Sequence, residues 1–429
     1  MDKITDIRAI EILDSRGVPS LRVFVEVEKH IVAKASVPSG MSTGTKEVLE
    51  LRDKDPRRYF GKGTLTAKKH VEGPIKTALL GKSVLQQKEI DQIMIKLDGT
   101  PMKEKLGANA ILGVSMAVAK AGAKVKNLPL YRYLSNEKIY TLPCPMMNII
   151  NGGAHADNLL DFQEFMIRPK GFSSFKEALR AGAEIFHCLK KQLKKKGLST
   201  NVGDEGGFAP GIHTPEDTLG CIVEAVKEAG YKPGEQIRLA LDAAANEFYE
   251  NGMYIEKKKK VRNQSYTKKS AQEMCAYFRE LMDAFPIDSI EDGFAEDDWK
   301  GWKYASKELG SKLQLVGDDI FVTNAKIVKK GIEDKVANAV LIKLNQVGTV
   351  SETLDTILLA KKHNYQTVIS HRSGETSDTF IADFAVATNA GQIKTGSLSR
   401  GERTAKYNRL LEIEEELQKE GSYQDSNPF

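Results

Sequence analysis

The sequence predicts an α/β protein, a (β/α)8 barrel preceded by a small α+β domain, and three observations carry that reading. Short apolar runs end in charged residues: Ser289-Ile290-Glu291-Asp292 and Leu315-Val316-Gly317-Asp318-Asp319, with Arg238-Leu239-Ala240-Leu241-Asp242 before them and Val340-Leu341-Ile342-Lys343 after. Stretches of helical spacing separate these runs, which is the rhythm of a parallel sheet. A barrel gathers the C-terminal ends of its strands on one face, where such folds carry their sites. The chain has 429 residues, beyond the roughly 250–300 at which a single core stops growing.

Composition excludes several classes. Hydrophobic residues at 41% and charged residues at 28% are ordinary for a globular enzyme. A formal charge of +5 tolerates an anionic substrate but is no nucleic-acid signature, so no specific nucleic-acid partner is expected. The runs Lys194-Lys195-Lys196 and Lys257 to Lys260 read as solvated faces. Cys144, Cys188, Cys221 and Cys275 are scattered without a CxxC pair, which suggests neither a disulfide scaffold nor a thiolate metal site. A reducing cytoplasm fits. Met1-Asp2-Lys3-Ile4 opens without a signal-peptide core, and no transmembrane segment is expected.

The small domain is expected over residues 1–140. Strands Ile7 to Ile12, Leu21 to Val27 and Ile31 to Val37 form a meander, with Asp14-Ser15-Arg16-Gly17 as its first turn. The loop Pro38 to Thr45, with Gly40, Gly44 and Ser42, reads as mobile and able to enter a site. Helices follow at Thr66 to Leu80, Leu85 to Lys96 and Asn109 to Lys126, the last capped near Asn109.

The barrel is expected over residues 141–429. Its strands are Pro145 to Ile150, Phe162 to Ile167, Ile237 to Asp242, Asp288 to Glu291, Leu313 to Asp318, Ala339 to Lys343, Gln366 to Ser370 and Gln392 to Lys394. A helix spans Ser174 to Lys196, Thr214 caps the helix Pro215 to Gly230, and a charged helix from Leu410 ends the chain without an assigned role. An open doubly wound sheet is the competing architecture, but no Gly-rich dinucleotide loop or Walker lysine motif supports it.

Asp242, Glu291 and Asp318 at successive strand ends suggest a hard divalent cation held by oxygen ligands, with Asp292 and Asp319 behind them. Lys343 and Lys394 also close strands; a lysine facing bound metal has its ammonium form destabilised and can serve as a base. Ser370 to Thr376 follows the seventh strand, where barrels bind phosphate, and Arg372 with Ser373 offers a fork and a hydroxyl. A Ser–His–acid hydrolase reading of that segment lacks a nucleophile elbow. Glu164 and Glu205 are candidates for a paired acid, each raising the other's pKa. His155, after two glycines, is either a structural loop residue or a mobile substrate contact.

Across essentially its whole length the chain resembles the enolase family. The resemblance rests on Ser39 to Gly44, Gln163 to Ile167, Gly203 to Pro210, Ser289 to Glu291, Gly317 to Asp319, Ser370 to Thr376 and Gly391 to Gly396. It implies a modified barrel whose second strand runs against the others. It implies reversible dehydration of 2-phospho-D-glycerate to phosphoenolpyruvate, as in glycolysis, by a cytoplasmic homodimer; it also allows a surface or secreted pool. Two Mg²⁺ per active site are implied, the first on Asp242, Glu291 and Asp318, the second arriving with substrate and completed by Ser42. Lys343 would take the C2 proton and Glu205 would protonate the departing hydroxyl, with Glu164 and Gln163 in support. Lys394 would clamp the carboxylate, His371, Arg372 and Ser373 would hold the phosphorylated end, and His155 would close over it.

Met41, Ala154, Asp157, Gly293 and Val18 depart from that family's usual alanine, serine, glycine, proline and asparagine. None replaces an implied ligand or base. A racemase or cycloisomerase of the same superfamily would share the three acids but not the Ser42 loop, Glu205 or the Arg372-Ser373 pair. A purely non-catalytic binding role would leave the whole set without a purpose.

Overall fold

A computed structural model describes residues 2–41, 43–135 and 137–429. Strands Ile4–Leu13, Pro19–Val27 and Ile31–Ser36 form an antiparallel sheet in chain order. Alternation gives it one apolar side, on which Val23, Val25 and Val27 are buried. That side packs on the helix Ala108–Val125. Gly113 permits the approach: a Cβ there would meet Val23 Cγ2 at 2.5 Å.

Two expectations for this domain are corrected. The helix expected over Thr66 to Leu80 is Leu65–His70, a π-turn Val71–Ile75, then Lys76–Leu79. Pro74 lies in the π-turn and has no N–H for the ladder, so the hydrogen bonds shift register around it. Asn109 is not the cap of the third helix; Gly107 holds that position with no side-chain bond. Asn109 instead accepts from the Leu51 N–H (3.2 Å) and donates to the Leu51 carbonyl (3.1 Å), tying the preceding segment to the helix.

Eight strands among the described residues build the barrel: Tyr140–Asn151, Glu164–Pro169, Ile237–Asp242, Ile287–Glu291, Gln314–Gly317, Ala339–Ile342, Gln366–Ser370 and Gln392–Lys394. They lie side by side in chain order, and Gln392, Ile393 and Lys394 close the ring on Cys144, Pro145 and Met146. Closure removes the doubly wound alternative. The second strand is antiparallel to both neighbours, as the resemblance implied. Met146, Met166, Ala240, Val316, Ala339, Leu341 and Val368 form a buried apolar cluster on the strands.

The chain's end does more than the sequence suggested. A strand Gly421–Gln424 adds parallel to Tyr140–Pro143, outside the ring. The Arg168 side chain, fully buried, pairs with Asp288 and reaches Asp425 (2.7 Å) and Gln392 (3.2 Å). The final helix begins at Gly401, not Leu410, and buries Arg403, Lys406 and Tyr407. None of the described helices is long and apolar enough to cross a membrane.

Asp378 sits at the junction of the two sheets' helices. Its carboxylate accepts from the Ser36 N–H (2.9 Å), Lys120 Nζ (2.6 Å) and the Phe380 N–H (2.9 Å). Burial would raise its pKa, but Lys120 and the N–H donors hold it below the ordinary value. A depressed carboxylate stabilises the fold fully above its unfolded pKa, near 3.9, and loses that contribution as pH falls through the folded value. Asp378→Asn should therefore cost about 1.5–3 kcal/mol at neutral pH, and the gap to the parent should close below about pH 4. Urea unfolding at several pH values measures this; a gap unchanged at pH 3 contradicts the assignment.

Candidate active site

The C-terminal rim of the barrel gathers His155, Gln163, Glu164, Glu205, Asp242, Asp318, Lys343, His371, Arg372, Ser373 and Lys394 around one cavity. Strand register explains part of this. Glu164 is the cross-strand partner of Asp242, and Asp242 of Glu291, so three carboxylates stand in a row on adjacent strands. Lys394 relieves their repulsion: its Nζ lies 2.9 Å from Glu164 Oε1, 2.8 Å from Asp242 Oδ2 and 2.8 Å from Glu291 Oε1. Burial disfavours its ammonium, yet Asp242, Glu164 and Glu291 hold its pKa well above the usual lysine value.

Asp318 is placed by a brace rather than by its own strand. The two oxygens of Asp292 accept from the N–H groups of Asp318 and Asp319 (2.9 Å each) and so fix the turn that follows Gly317. Gln346 donates to Asp318 Oδ1 at 2.8 Å, and Lys343 Nζ pairs with Oδ2. Burial alone would lower the pKa of Lys343, but Asp318 outweighs it and raises the value, so the lysine is an ammonium here. Asp319 is pushed up to about 7 by burial and by Asp318.

Glu205 comes from a glycine-rich turn. Gly206 has φ +89°, and a Cβ there would strike the Ser399 carbonyl at 2.5 Å. Asn148 Nδ2 donates to Glu205 Oε2 at 2.9 Å; His155 Nδ1 lies 3.5 Å from the same oxygen and His371 Nε2 3.4 Å from Oε1. Arg403 Nη1 donates to His371 Nδ1 at 2.6 Å. A nitrogen that accepts from a guanidinium carries no proton, so the hydrogen of the neutral ring sits on Nε2, toward Glu205. Burial agrees, driving the His371 pKa well below its usual value. Sequence reasoning missed Arg403, a basic residue in a charged helix with no motif around it.

Glu164 and Glu205 approach each other as expected, with His155 within reach of both. Their pKa values part company. Burial and the Glu205 charge raise Glu164 well above the carboxylate range. Burial pushes Glu205 up as well, but the two imidazoles and Lys394 pull it well down. The shared proton of the pair therefore rests on Glu164 in this state.

On the side of Arg372 and Ser373, Ser39 exchanges backbone hydrogen bonds with Gly374 (2.8 and 2.9 Å), and the Met41 N–H donates to Ser373 Oγ at 2.9 Å. The loop thus reaches the site, although Ser42 itself lies outside the described residues. Arg372 is not directed solely at the cavity: it donates to Glu47 (2.8 and 3.2 Å) and Asn345 (3.0 Å). Its guanidinium lies beneath Gly40, where a Cβ would be 2.0 Å from Nη2. Arg16 Nη1 adds a donor to Ser373 Oγ at 3.3 Å. Glu47 and Arg16 were not singled out in the sequence.

The departures have local reasons. The Met41 side chain is half-exposed and its backbone makes the contact. Gly293 lies under Phe278, whose Cε2 a Cβ would meet at 2.9 Å. Val18 uses only its backbone, donating to Asp14 Oδ1 at 3.0 Å. Nothing in the structure explains Ala154.

The donor set fits a divalent cation. Among the described residues lining the cavity, Glu164, Glu205, Asp242, Asp292, Asp318 and Asp319 outnumber the fixed cations Lys343, Lys394 and Arg372. Glu291 Oε2 and Glu164 Oε2 are buried without a hydrogen-bond partner, and burial together with Asp242 holds Glu291 well above the carboxylate range. All-oxygen donors suit a hard ion. Two groups have ligand atoms within 4.8 Å of one another, Asp292–Asp318–Asp319 and His155–Glu164–Glu205. Of the expected trio, Asp242 and Glu291 pair with Lys394 and Asp318 with Lys343.

The model of a family described as "Enolase, C-terminal TIM barrel domain" matches residues 139–429, and that described as "Enolase, N-terminal domain" matches residues 4–134.

Proposed function

The chain belongs to the enolase family and is a lyase with that family's dehydration chemistry, and we propose that its reaction is the reversible loss of water from 2-phospho-D-glycerate to give phosphoenolpyruvate. The observation that carries this is the meeting of a lysine and a proton-sharing carboxylate pair on one buried rim, beside Arg372 and Ser373. The C2 hydrogen lies next to a carboxylate, so its removal adds charge to a group already anionic. We assign the first Mg²⁺ to Asp242, Glu291 and Asp318, and a second, arriving with substrate, to a shell that includes Ser42. Bound there, the ions would stabilise that added charge.

Lys343 accepts the C2 proton at Nζ, for which its ammonium must first lose a proton to solvent; once Asp318 is engaged elsewhere that carboxylate no longer favours the ammonium, and the loss becomes easier. Glu205, resupplied from Glu164, protonates the C3 hydroxyl as it leaves. Gln163 Nε2 lies 3.3 Å from Asp242 Oδ2 and braces that carboxylate. Lys394 meets the substrate carboxylate. Arg372, exchanging Glu47 for phosphate, and Ser373 hold the other end, with His371 and His155 bordering the leaving group. The same reading carries a cytoplasmic homodimer and a role in glycolysis.

Phosphoenolpyruvate, with its double bond conjugated to the carboxylate, absorbs in the ultraviolet, so turnover of 2-phospho-D-glycerate is followed directly. Activity is expected with Mg²⁺ and should vanish on chelation while far-UV circular dichroism stays native. Full turnover in metal-stripped enzyme would remove the metal assignment. Inertness toward this substrate, with racemisation of another carboxylate, would favour a superfamily relative's reaction.

A further inference from the structure

His155 rides on the loop between the first two barrel strands, and the sequence places two acids, Asp157 and Asp161, in the half of that loop beyond it. Facing them is the basic segment Lys257 to Arg262, which the sequence alone presents as a solvated face. For Lys258 that description fails. Its backbone N–H donates to Asp161 Oδ1 at 2.9 Å, and its half-buried ammonium donates to the Ala156 carbonyl at 2.6 Å. One residue thus grips the loop next to His155 and again two residues before Gln163.

Its neighbours are engaged within their own segment: Lys257 with the Glu247 carbonyl, Lys259 with Glu256 and Lys260 with Glu250. Arg262 adds a bond to Asp157 Oδ1 at 2.9 Å, but that pair is exposed, and such pairs contribute little. A charged donor on a carbonyl is stronger than a neutral one, so Lys258 is the tether that matters. On the other side, the His155 carbonyl lies against Gly203, where a Cβ would be 2.7 Å away. Asn158 Nδ2 ties the loop to the Asn151 and Pro210 carbonyls (2.9 and 3.3 Å). The loop is held between the Glu205 turn and Lys258.

We propose that Lys258 is a positioning residue for His155, its ammonium on the Ala156 carbonyl holding the imidazole against Glu205. The inference rests on the reading of His155 as part of the substrate site. Lys258→Met keeps the stem and the backbone bond to Asp161 but removes the ammonium. A displaced group of this kind costs up to roughly 10²-fold, so kcat should fall on the order of 10- to 10²-fold, and Lys258→Arg should recover most of it. Added to His155→Gln, the Lys258→Met change should lower kcat by no more than a factor of about two, the scatter of non-interacting changes. An equal loss in both backgrounds overturns the proposal, because Lys258 then acts through something else. If His155→Gln alone leaves turnover intact, the reading of His155 fails, not the tether. The tether is then judged by NMR: the His155 ring resonances, identified by their absence in His155→Gln, should move in Lys258→Met and stay put in Lys260→Met. Unmoved resonances in Lys258→Met overturn it.

Discussion

Lys343→Ala is expected to stop two reactions at once, the elimination of water and the exchange of the C2 hydrogen with solvent. Both need the proton taken from C2, and the other lysine among the described residues lining the cavity, Lys394, has its Nζ surrounded by Glu164, Asp242 and Glu291. Glu205→Gln keeps the size of the side chain and its contact with Asn148 but cannot deliver a carboxylic proton. Elimination should fall steeply there while C2 exchange in deuterated water survives, because that step precedes departure of the hydroxyl. Each loss should reach about 10²–10⁴-fold, the usual range for general acid–base groups. Robust exchange in Lys343→Ala would remove lysine as the base; near-normal elimination in Glu205→Gln would remove Glu205 as the acid.

The second large effect is expected far from the chemistry. Arg168 is fully buried and pairs with Asp288 and Asp425, themselves almost inaccessible. Removing one member of a buried ion network strands the others in a medium that cannot solvate them, and Arg168→Leu should cost about 3–5 kcal/mol. Arg168→Leu with Asp288→Val should regain part of that, since apolar residues of similar volume replace buried pairs well. Thermal and urea unfolding measure both variants. Equal stability of parent and Arg168→Leu would show that the network is energetically idle. Turnover per folded molecule should change little in either case.

The fold was legible where residues repeat a physical pattern. Apolar runs ending in Asp242, Glu291 and Lys343 announce barrel strands because a strand buried on both faces must be apolar until it reaches the rim. The strand Gly421–Gln424 was not legible, since Gly-Ser-Tyr-Gln has neither alternation nor branching. The helix expected over Thr66 to Leu80 ran through Pro74, and the π-turn that absorbs it depends on the sheet alongside. In the site, residues at strand ends were found; of those that act through others, Asp292 was placed behind the ligands but Arg403 and Glu47 were not singled out. Asp292 bracing Asp318, Arg403 setting the His371 tautomer and Glu47 holding Arg372 are relations between distant segments. Charge states were equally hidden. Lys343 read as a base from its position; only the carboxylate at its tip shows that it starts as an ammonium.

The ring closes where Gln392 to Lys394 meet Cys144 to Met146, and this sets an order on synthesis. The small sheet joins near neighbours in the chain, so its three strands can assemble as soon as they leave the ribosome. The first barrel strand gains the second soon after, but its other edge must wait until nearly the entire chain has been made. During that interval an apolar strand presents unpaired N–H and carbonyl groups, the kind of edge on which nascent chains join one another. Loss of yield during expression should therefore track variants that weaken the final strand, Gln392 to Lys394, more closely than variants that weaken the small sheet.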